Sequence, residues 1–278
     1  MKKSLVSIII PTKNSGNELA VCLASLKAQT YKNIEIIIVD GGSSDQTEKL
    51  AIKYGVKLYI YKPKVEKGAS DAPHKRNYGV KKANGEYVYY LDADMELPKS
   101  IIQECVLSIK SGIDAVIIHE ESVGEGIWAR AKNLERHCYW GDDTVEAPRF
   151  IKKSVWDKLG GLDLTVGGGG DDWDFYQKLK DGAYIVTDIP TALLHHEGRL
   201  TLTSLIKKRF RSGLQSMKYV KKRPYQAIVS YFPIRLAYIR HWRLFLSRPI
   251  DTIYFIVMRT AEYVAGFVGI VYSSMNKL

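Results

Sequence analysis

The chain has 278 residues, 46% apolar and 26% charged, enough to bury a full core and ordinary for a folded globular protein rather than a disordered or low-complexity one. Cys22, Cys105 and Cys138 show no metal-ligand spacing and no CxxC, which argues against a disulfide framework or a cysteine zinc site and fits a reducing compartment. The net charge of +11 is uneven: Arg199 to Pro249 holds thirteen Lys and Arg and no acid, leaving −2 elsewhere, and this asymmetry points to a polyanion such as nucleic acid, a phosphorylated substrate or anionic lipid.

Two lysines precede an apolar run from Leu5 to Ile10 that stops at Pro11. The run is too short for a secretory signal, so it is expected to form a first buried strand in a chain that stays on the cytoplasmic side. A second β-branched run, residues 34–39, is expected to form another buried strand. Between them Leu19, Cys22, Leu23 and Leu26 recur at helical spacing over Glu18–Ala28, with Asn17 as N-cap. Strand, helix and strand in so short a stretch predict a βαβ unit and a parallel sheet.

The alternation continues. Ser44 or Asp45 can cap a helix through Tyr54, followed by a strand over Val56–Tyr61. A helix near Arg76–Ala83 leads to a strand over Tyr87–Leu91 that ends at Asp92-Ala93-Asp94. A helix over Lys99–Ser111 and a strand over Ala115–Ile118 follow. In such open α/β sheets ligands sit beyond the carboxyl ends of strands. Three polar clusters fall there: Pro11 to Asn14, Asp40 to Ser43, and Asp92 to Asp94.

From about 120 to 198 the pattern is less regular and glycine-rich. Gly167 to Gly170 can form neither helix nor stable strand and predict a mobile loop or a close approach to ligand. Asp171-Asp172 then opens a helix carrying Phe175, Tyr176 and Leu179, and an apolar run Ala192–Leu194 ends at His195-His196. Beyond these, Pro224, Pro233 and Pro249 punctuate apolar helical stretches interspersed with arginines. Ile253 to Ser273 is long enough to span a bilayer. Arg259 and Glu262 would each cost about 2.5–3.5 kcal/mol near the centre of a span. With Thr252, Gly266, Gly269 and Ser273 they share one side of the helix, opposite Tyr254, Val257, Ala261, Val264, Val268 and Tyr272. An interfacial or protein-packed helix fits that segregation better than a lone span.

Asp92 and Asp94, two apart just past a buried strand, form an oxygen-only pair able to hold Mg²⁺ or Mn²⁺ if a diphosphate supplies further oxygens; a turn with solvated aspartates has the same spelling. Asp171-Asp172 reads either as a general base with its neighbour or as an N-capping pair, and the two histidines either as site residues or as structural ones.

In combination, VSIIIPTKN, VDGGSSDQT, KRNYGVKKANGEYVYYLDADMEL and GGLDLTVGGGGDDWDF resemble the family-2 glycosyltransferases of GT-A fold, which are inverting enzymes using a nucleotide-diphospho-sugar and a divalent metal. The resemblance covers about residues 4–211. It implies a transferase domain with an open, mostly parallel sheet over 1–211, while the basic, apolar composition of 212–278 leads to the expectation of a helical, membrane-associating region there. It further implies that Pro11, Thr12 and Asn14 line the base and ribose pocket, that Asp40 accepts a hydrogen bond from the base, which suits uracil, and that Arg76 faces the diphosphate. Asp92 would lie at the ribose and metal edge and Asp94 would ligate the metal, with Glu96 and His196, or its neighbour His195, as further ligands. Asp172 matches the catalytic base and Asp171 the acid before it, and the basic run Lys207 to Arg211 has a family counterpart. The Gln-x-x-Arg-Trp signature of processive members is absent, so one sugar per acceptor is expected. The expected cofactor is Mg²⁺ or Mn²⁺, and the expected partners are a nucleotide-sugar donor, a UDP-sugar by preference, and a lipid-linked acceptor at an anionic membrane surface, with the enzyme peripheral or shallowly inserted at the cytoplasmic face; a soluble or protein acceptor is the alternative. Nucleic acid is not expected, because the acidic clusters would repel phosphate and the C-terminal aromatics fall among Ile, Leu and Val.

Overall fold

A computed structural model describes residues 3–66, 69–166 and 169–275. Its first half comprises β1 (Val6–Thr12), α1 (Gly16–Lys27), β2 (Ile34–Asp40), α2 (Thr47–Lys53), β3 (Lys57–Ile60), α3 (Ala72–Lys81), β4 (Tyr87–Tyr90), β5 (Met95–Glu96) and α4 (Ile101–Lys110). Next come β6 (Ala115–Glu125), α5 (Gly126–Tyr139), β7 (Phe150–Lys152), α6 (Lys153–Lys158), α7 (Gly170–Asp181) and β8 (Val186–Arg199). The chain continues as α8 (Leu202–Lys222), α9 (Pro224–Tyr231), α10 (Leu236–Arg240), α11 (Trp242–Ser247) and α12 (Pro249–Met275).

The continuous apolar runs at β1 and β2 arise because both faces of the sheet are covered. Ile8 and Ile10 pack with Leu19, Leu23 and Leu26 of α1 on one face, while Ile9 packs with Val80 of α3 on the other. The sheet order is β3-β2-β1-β4-β7-β6-β8-β5. The first four strands are parallel, placing the ends of β1, β2 and β4 on one edge. Four of the seven strand pairings are parallel, β6 with β8 included, and the sheet is mixed because β7 pairs antiparallel with both β4 and β6, and β5 antiparallel with β8.

Local differences from the expected elements have physical causes. Asn17 lies inside α1, whose first amide, Gly16 N, donates to Asp45 Oδ2 at 2.8 Å. Strand β6 runs on to Glu125 and β8 through both histidines to Arg199, because the two pair in parallel across two irregularities that single-strand periodicity does not reveal. The histidines are thus within a strand and not at its end. The expected boundary between 211 and 212 falls inside the continuous helix α8.

Helix α12 packs on α8 and α5 with its polar side inward. A Cβ at Gly213 would stand 2.3 Å from the carbonyl oxygen of Gly266, so the two helices approach at backbone contact. Arg259 Nη1 pairs with Glu262 at 2.6 Å and with the buried Glu135 of α5 at 3.0 Å. The opposite side leaves Ile253, Ile256, Val264, Phe267 and Val268 exposed. Nineteen of the twenty-seven exposed large apolar side chains among the described residues lie between Tyr225 and Met275, so the apolar surface is concentrated on this appendage. By length and composition α12 could cross a membrane.

Candidate active site

The ends of β1 and β2 are tied together through Asp40. Its Oδ1 accepts from Thr12 Oγ1 at 2.9 Å and Ser43 Oγ at 2.5 Å, and its Oδ2 from the amides of Gly42 at 2.8 Å and Ser43 at 2.6 Å. Burial alone would raise this carboxyl, but the bonds from Ser43, Thr12 and Gly42 outweigh it and hold Asp40 below the usual carboxylate range. The four donors occupy its four lone-pair sites, so Asp40 organises the loop, and a base N–H would have to displace one of them. Asn14 adopts φ +52°, which asparagine tolerates, and its Oδ1 accepts from Ser44 N at 2.8 Å. Lys75, not anticipated from sequence, donates to Thr12 O at 2.9 Å and pairs with Asp71 at 2.9 Å while almost wholly buried. Pro11, half-buried, completes this corner at the end of β1.

Past β4, two guanidiniums meet two aspartates. Arg76 Nη2 donates to Asp92 Oδ1 at 2.8 Å and Nη1 to Asp172 Oδ1 at 3.2 Å. Arg149, just before β7, donates to Asp92 Oδ2 at 3.0 Å, pairs with Glu120 at 3.2 Å and approaches Asp172 Oδ2 to 3.9 Å. Both lie over the Tyr90 ring, 4.9 and 5.9 Å from its centroid. Burial opposes the charge on Asp92, but Arg76 and then Arg149 hold its carboxyl well below the ordinary range.

Asp171 and Asp172 occupy the first turn of α7, whose N-cap Gly169 has φ +82°. Gly170 is required sterically, since a Cβ there would meet the Tyr219 ring of α8 at 2.8 Å. Gly167 and Gly168 of the predicted loop lie outside the described residues. Asp171 is buried 3.5 Å from Arg76, and burial together with the neighbouring Asp172 charge pushes its carboxyl upward. Asp172 is the more exposed of the two.

The expected metal ligands do not gather into one cluster. Asp92 is engaged by the two arginines, and Glu96 and His196 form a separate pair at 2.8 Å. Among the described residues no three His, Cys, Asp or Glu side chains form a metal-holding group. Successive strand residues point to opposite faces, so only one histidine can reach Asp94, and it is His195, Nε2 to Oδ2 at 3.2 Å. Burial would lower the His195 pKa, but bonds to Asp94 and Glu120 lift it to about 9. Asp94 Oδ1 is buried without a hydrogen-bond partner. A carboxylate with a spare buried oxygen beside an imidazole fits Mn²⁺, with remaining positions left for ligand oxygens.

A cavity of about 430 Å³ connects these groups, and Arg76, Asp92, Arg149, Asp171, Asp172 and His195 all contribute to its wall. Glu120, Arg136, Trp173 and Lys208 line it too. Pro11, Thr12, Asn14 and Asp40, at the ends of β1 and β2, do not line it, and neither do Asp94, Glu96 and His196. Sequence reasoning missed Arg149, Glu120 and Arg136. The only local signal for Arg149 was its place after Pro148, before a strand of three residues too short to show a period.

Residues 7–165, more than half the chain, match the family described as Glycosyl transferase family 2. The chain is 35% identical over 172 residues, 57% of its length, to the poly(ribitol-phosphate) beta-N-acetylglucosaminyltransferase TarP of Staphylococcus aureus. It spans 51% of that relative's own length, and less than a third of the rickettsial glycosyltransferases it also matches. A mannosyltransferase from Pyrobaculum calidifontis, solved with GDP-Man and Mn²⁺, superposes with TM-score 0.65 at 16% identity, covering 98% of this chain and 88% of that one. Residues 1–349 of S. aureus TarS, solved with UDP-GlcNAc, superpose with TM-score 0.56 at 15% identity, covering 98% and 92%. The α/β sheet flanked by helices is thus of the GT-A type.

Proposed function

Because the chain belongs to glycosyl transferase family 2, we propose that it moves one sugar from a nucleotide-diphospho-sugar, a UDP-sugar by preference, to an acceptor hydroxyl or phosphate carried on a lipid. The observation that carries the reading is the convergence of Asp172 with Arg76 in one cavity, 3.2 Å apart, with His195, the partner of Asp94, in the same wall. The acceptor oxygen attacks the anomeric carbon while the bond from that carbon to the diphosphate breaks. Asp172 takes the acceptor proton and the electron pair leaves with the nucleoside diphosphate. Such a single displacement inverts the anomeric centre. Arg76 holds the diphosphate by charge-assisted hydrogen bonds, and the corner built by Thr12, Asn14 and Asp40 receives the nucleoside. Asp94 and His195 would hold Mn²⁺ or Mg²⁺, which supplies Lewis-acid neutralisation of the leaving diphosphate.

The membrane part of the reading rests on the appendage, where the apolar side of α12 and the apolar tips of α9 to α11 are exposed among Arg240, Arg243 and Arg248. An interfacial helix with basic neighbours attaches to an anionic cytoplasmic leaflet. A polyol-phosphate polymer is the second acceptor reading, favoured by the likeness to TarP and by Lys208 and Arg136 in the cavity wall. Incubation with a panel of UDP- and GDP-sugars, with Mn²⁺ or with chelator, is the direct test. Metal-dependent release of one nucleoside diphosphate supports the reading, and release unaffected by excess chelator sinks the metal assignment. Retention of anomeric configuration by NMR contradicts single displacement.

A further inference from the structure

We infer that Arg149 is a second diphosphate-binding residue, and that donor binding transfers Arg76 and Arg149 from the carboxylates of Asp172 and Asp92 to the phosphates, freeing the base only once donor is present. The inference rests on the transferase reading above and assigns a residue which that reading does not use.

Each Asp172 oxygen faces a different guanidinium, Oδ1 towards Arg76 at 3.2 Å and Oδ2 towards Arg149 at 3.9 Å. Asp92 repeats the arrangement at 2.8 and 3.0 Å. Two arginines are therefore shared between two aspartates, and both oxygens of Asp172 face guanidiniums rather than an incoming hydroxyl. The backbone of Arg149 is fixed in place. The Arg149 amide donates to Val116 O at 3.3 Å and its carbonyl accepts from Tyr90 N at 3.2 Å, which locks its backbone between β6 and β4. Beneath both guanidiniums the Tyr90 ring is held by its own hydroxyl on Pro148 O at 3.0 Å. Arg76 is buried with its Nε unpaired, a donor still to be satisfied. A diphosphate brings at least two negative charges and more acceptor oxygens than a carboxylate, in the geometry a guanidinium fork matches. It competes for these donors with an advantage that neither aspartate has.

The test is nucleotide binding by the full chain in Mn²⁺, using whichever of UDP and GDP the wild type binds by calorimetry, and the matching nucleoside by saturation-transfer NMR. Arg149→Met should weaken the diphosphate at least tenfold and leave the nucleoside unchanged, with Arg149→Lys intermediate. Asp172→Asn should tighten the diphosphate severalfold in the wild type, and that gain should shrink in the Arg149→Met background, because the competitor being removed acts through Arg149. Nucleoside binding by Arg149→Met shows that the variant is folded; if it is not, Arg149→Lys carries the same comparison. Unchanged diphosphate affinity in either folded variant overturns the assignment of Arg149. A gain from Asp172→Asn of equal size in both backgrounds overturns the handover. A wild type that binds neither UDP nor GDP overturns the transferase reading itself, and this inference with it.

Discussion

His195 presents Nε2 to Asp94 Oδ2 at 3.2 Å, whereas His196, one residue on, bonds Glu96 at 2.8 Å instead. The two histidines should therefore separate in metal binding. With nucleoside diphosphate present, Asp94→Ala and His195→Ala should each weaken Mn²⁺ by about 10- to 100-fold, the usual scale for losing a ligand or its support. His196→Ala should change it by less than about twofold, a remote substitution by the same reasoning. Mn²⁺ titration followed by electron paramagnetic resonance reads this, and a larger effect at His196 would return that residue to the site.

Asp172→Asn should retain donor and lose at least roughly a hundredfold in turnover, the scale for removing a general base. Steady-state kinetics with donor saturating checks it, and turnover at the wild-type level would move the role to another group.

Asp171 is displaced upward by burial and by the Asp172 charge. A carboxyl whose folded pKa exceeds its unfolded value binds more protons folded than unfolded, so its contribution to stability falls as pH rises between the two values, at about 1.4 kcal/mol per unit of displacement. Asp171→Asn should therefore raise the melting temperature at pH 8 relative to wild type, and gain little or nothing at pH 4. Calorimetric melts across that range check the sign.

The appendage should bind anionic vesicles, since each Lys or Arg near such a surface contributes about 1 kcal/mol. Ile256→Asp with Phe267→Asp alters two exposed side chains of α12 and leaves its packed side untouched. The double variant should stay folded and lose most vesicle flotation, and salt should partly release the wild type. Attachment that survives high salt and yields only to detergent would mean that α12 is inserted.

Gly213→Ala would set a methyl 2.3 Å from the Gly266 carbonyl oxygen, contact that forces the helix backbones apart. It should destabilise by about 1–3 kcal/mol, the cost of overpacking. Urea unfolding reads the difference.

The parallel half of the fold was legible in the sequence because β1, β2 and β4 are apolar runs ended by polar clusters, and those ends do lie on one edge. What stayed hidden depends on pairing between distant segments. β7 offers three residues and no period, yet it reverses the sheet and delivers Arg149. Glu120 and Arg136 meet only because β6 and α5 fold back beside β8. The segregation along α12 was readable, but which side faced protein depended on Glu135, a partner far away in the chain.

That partner has a mechanical consequence. Glu135, anchored to α12 by Arg259, is followed on α5 by Arg136, which pairs with Glu120 at the cavity wall and, at 3.2 Å, with Glu197. A single helical peptide unit joins the two, so one turn of α5 is held by the appendage through Glu135 and by the site through Arg136. A shift of α12 that kept its ion pair would act on the residue beside Arg136, the partner of Glu120 and His195. Misplacement by about 1 Å at a reacting centre can cost on the order of a hundredfold in rate. Whatever takes hold of the final helix therefore acts on the same turn of α5 that supplies Arg136 to the cavity wall.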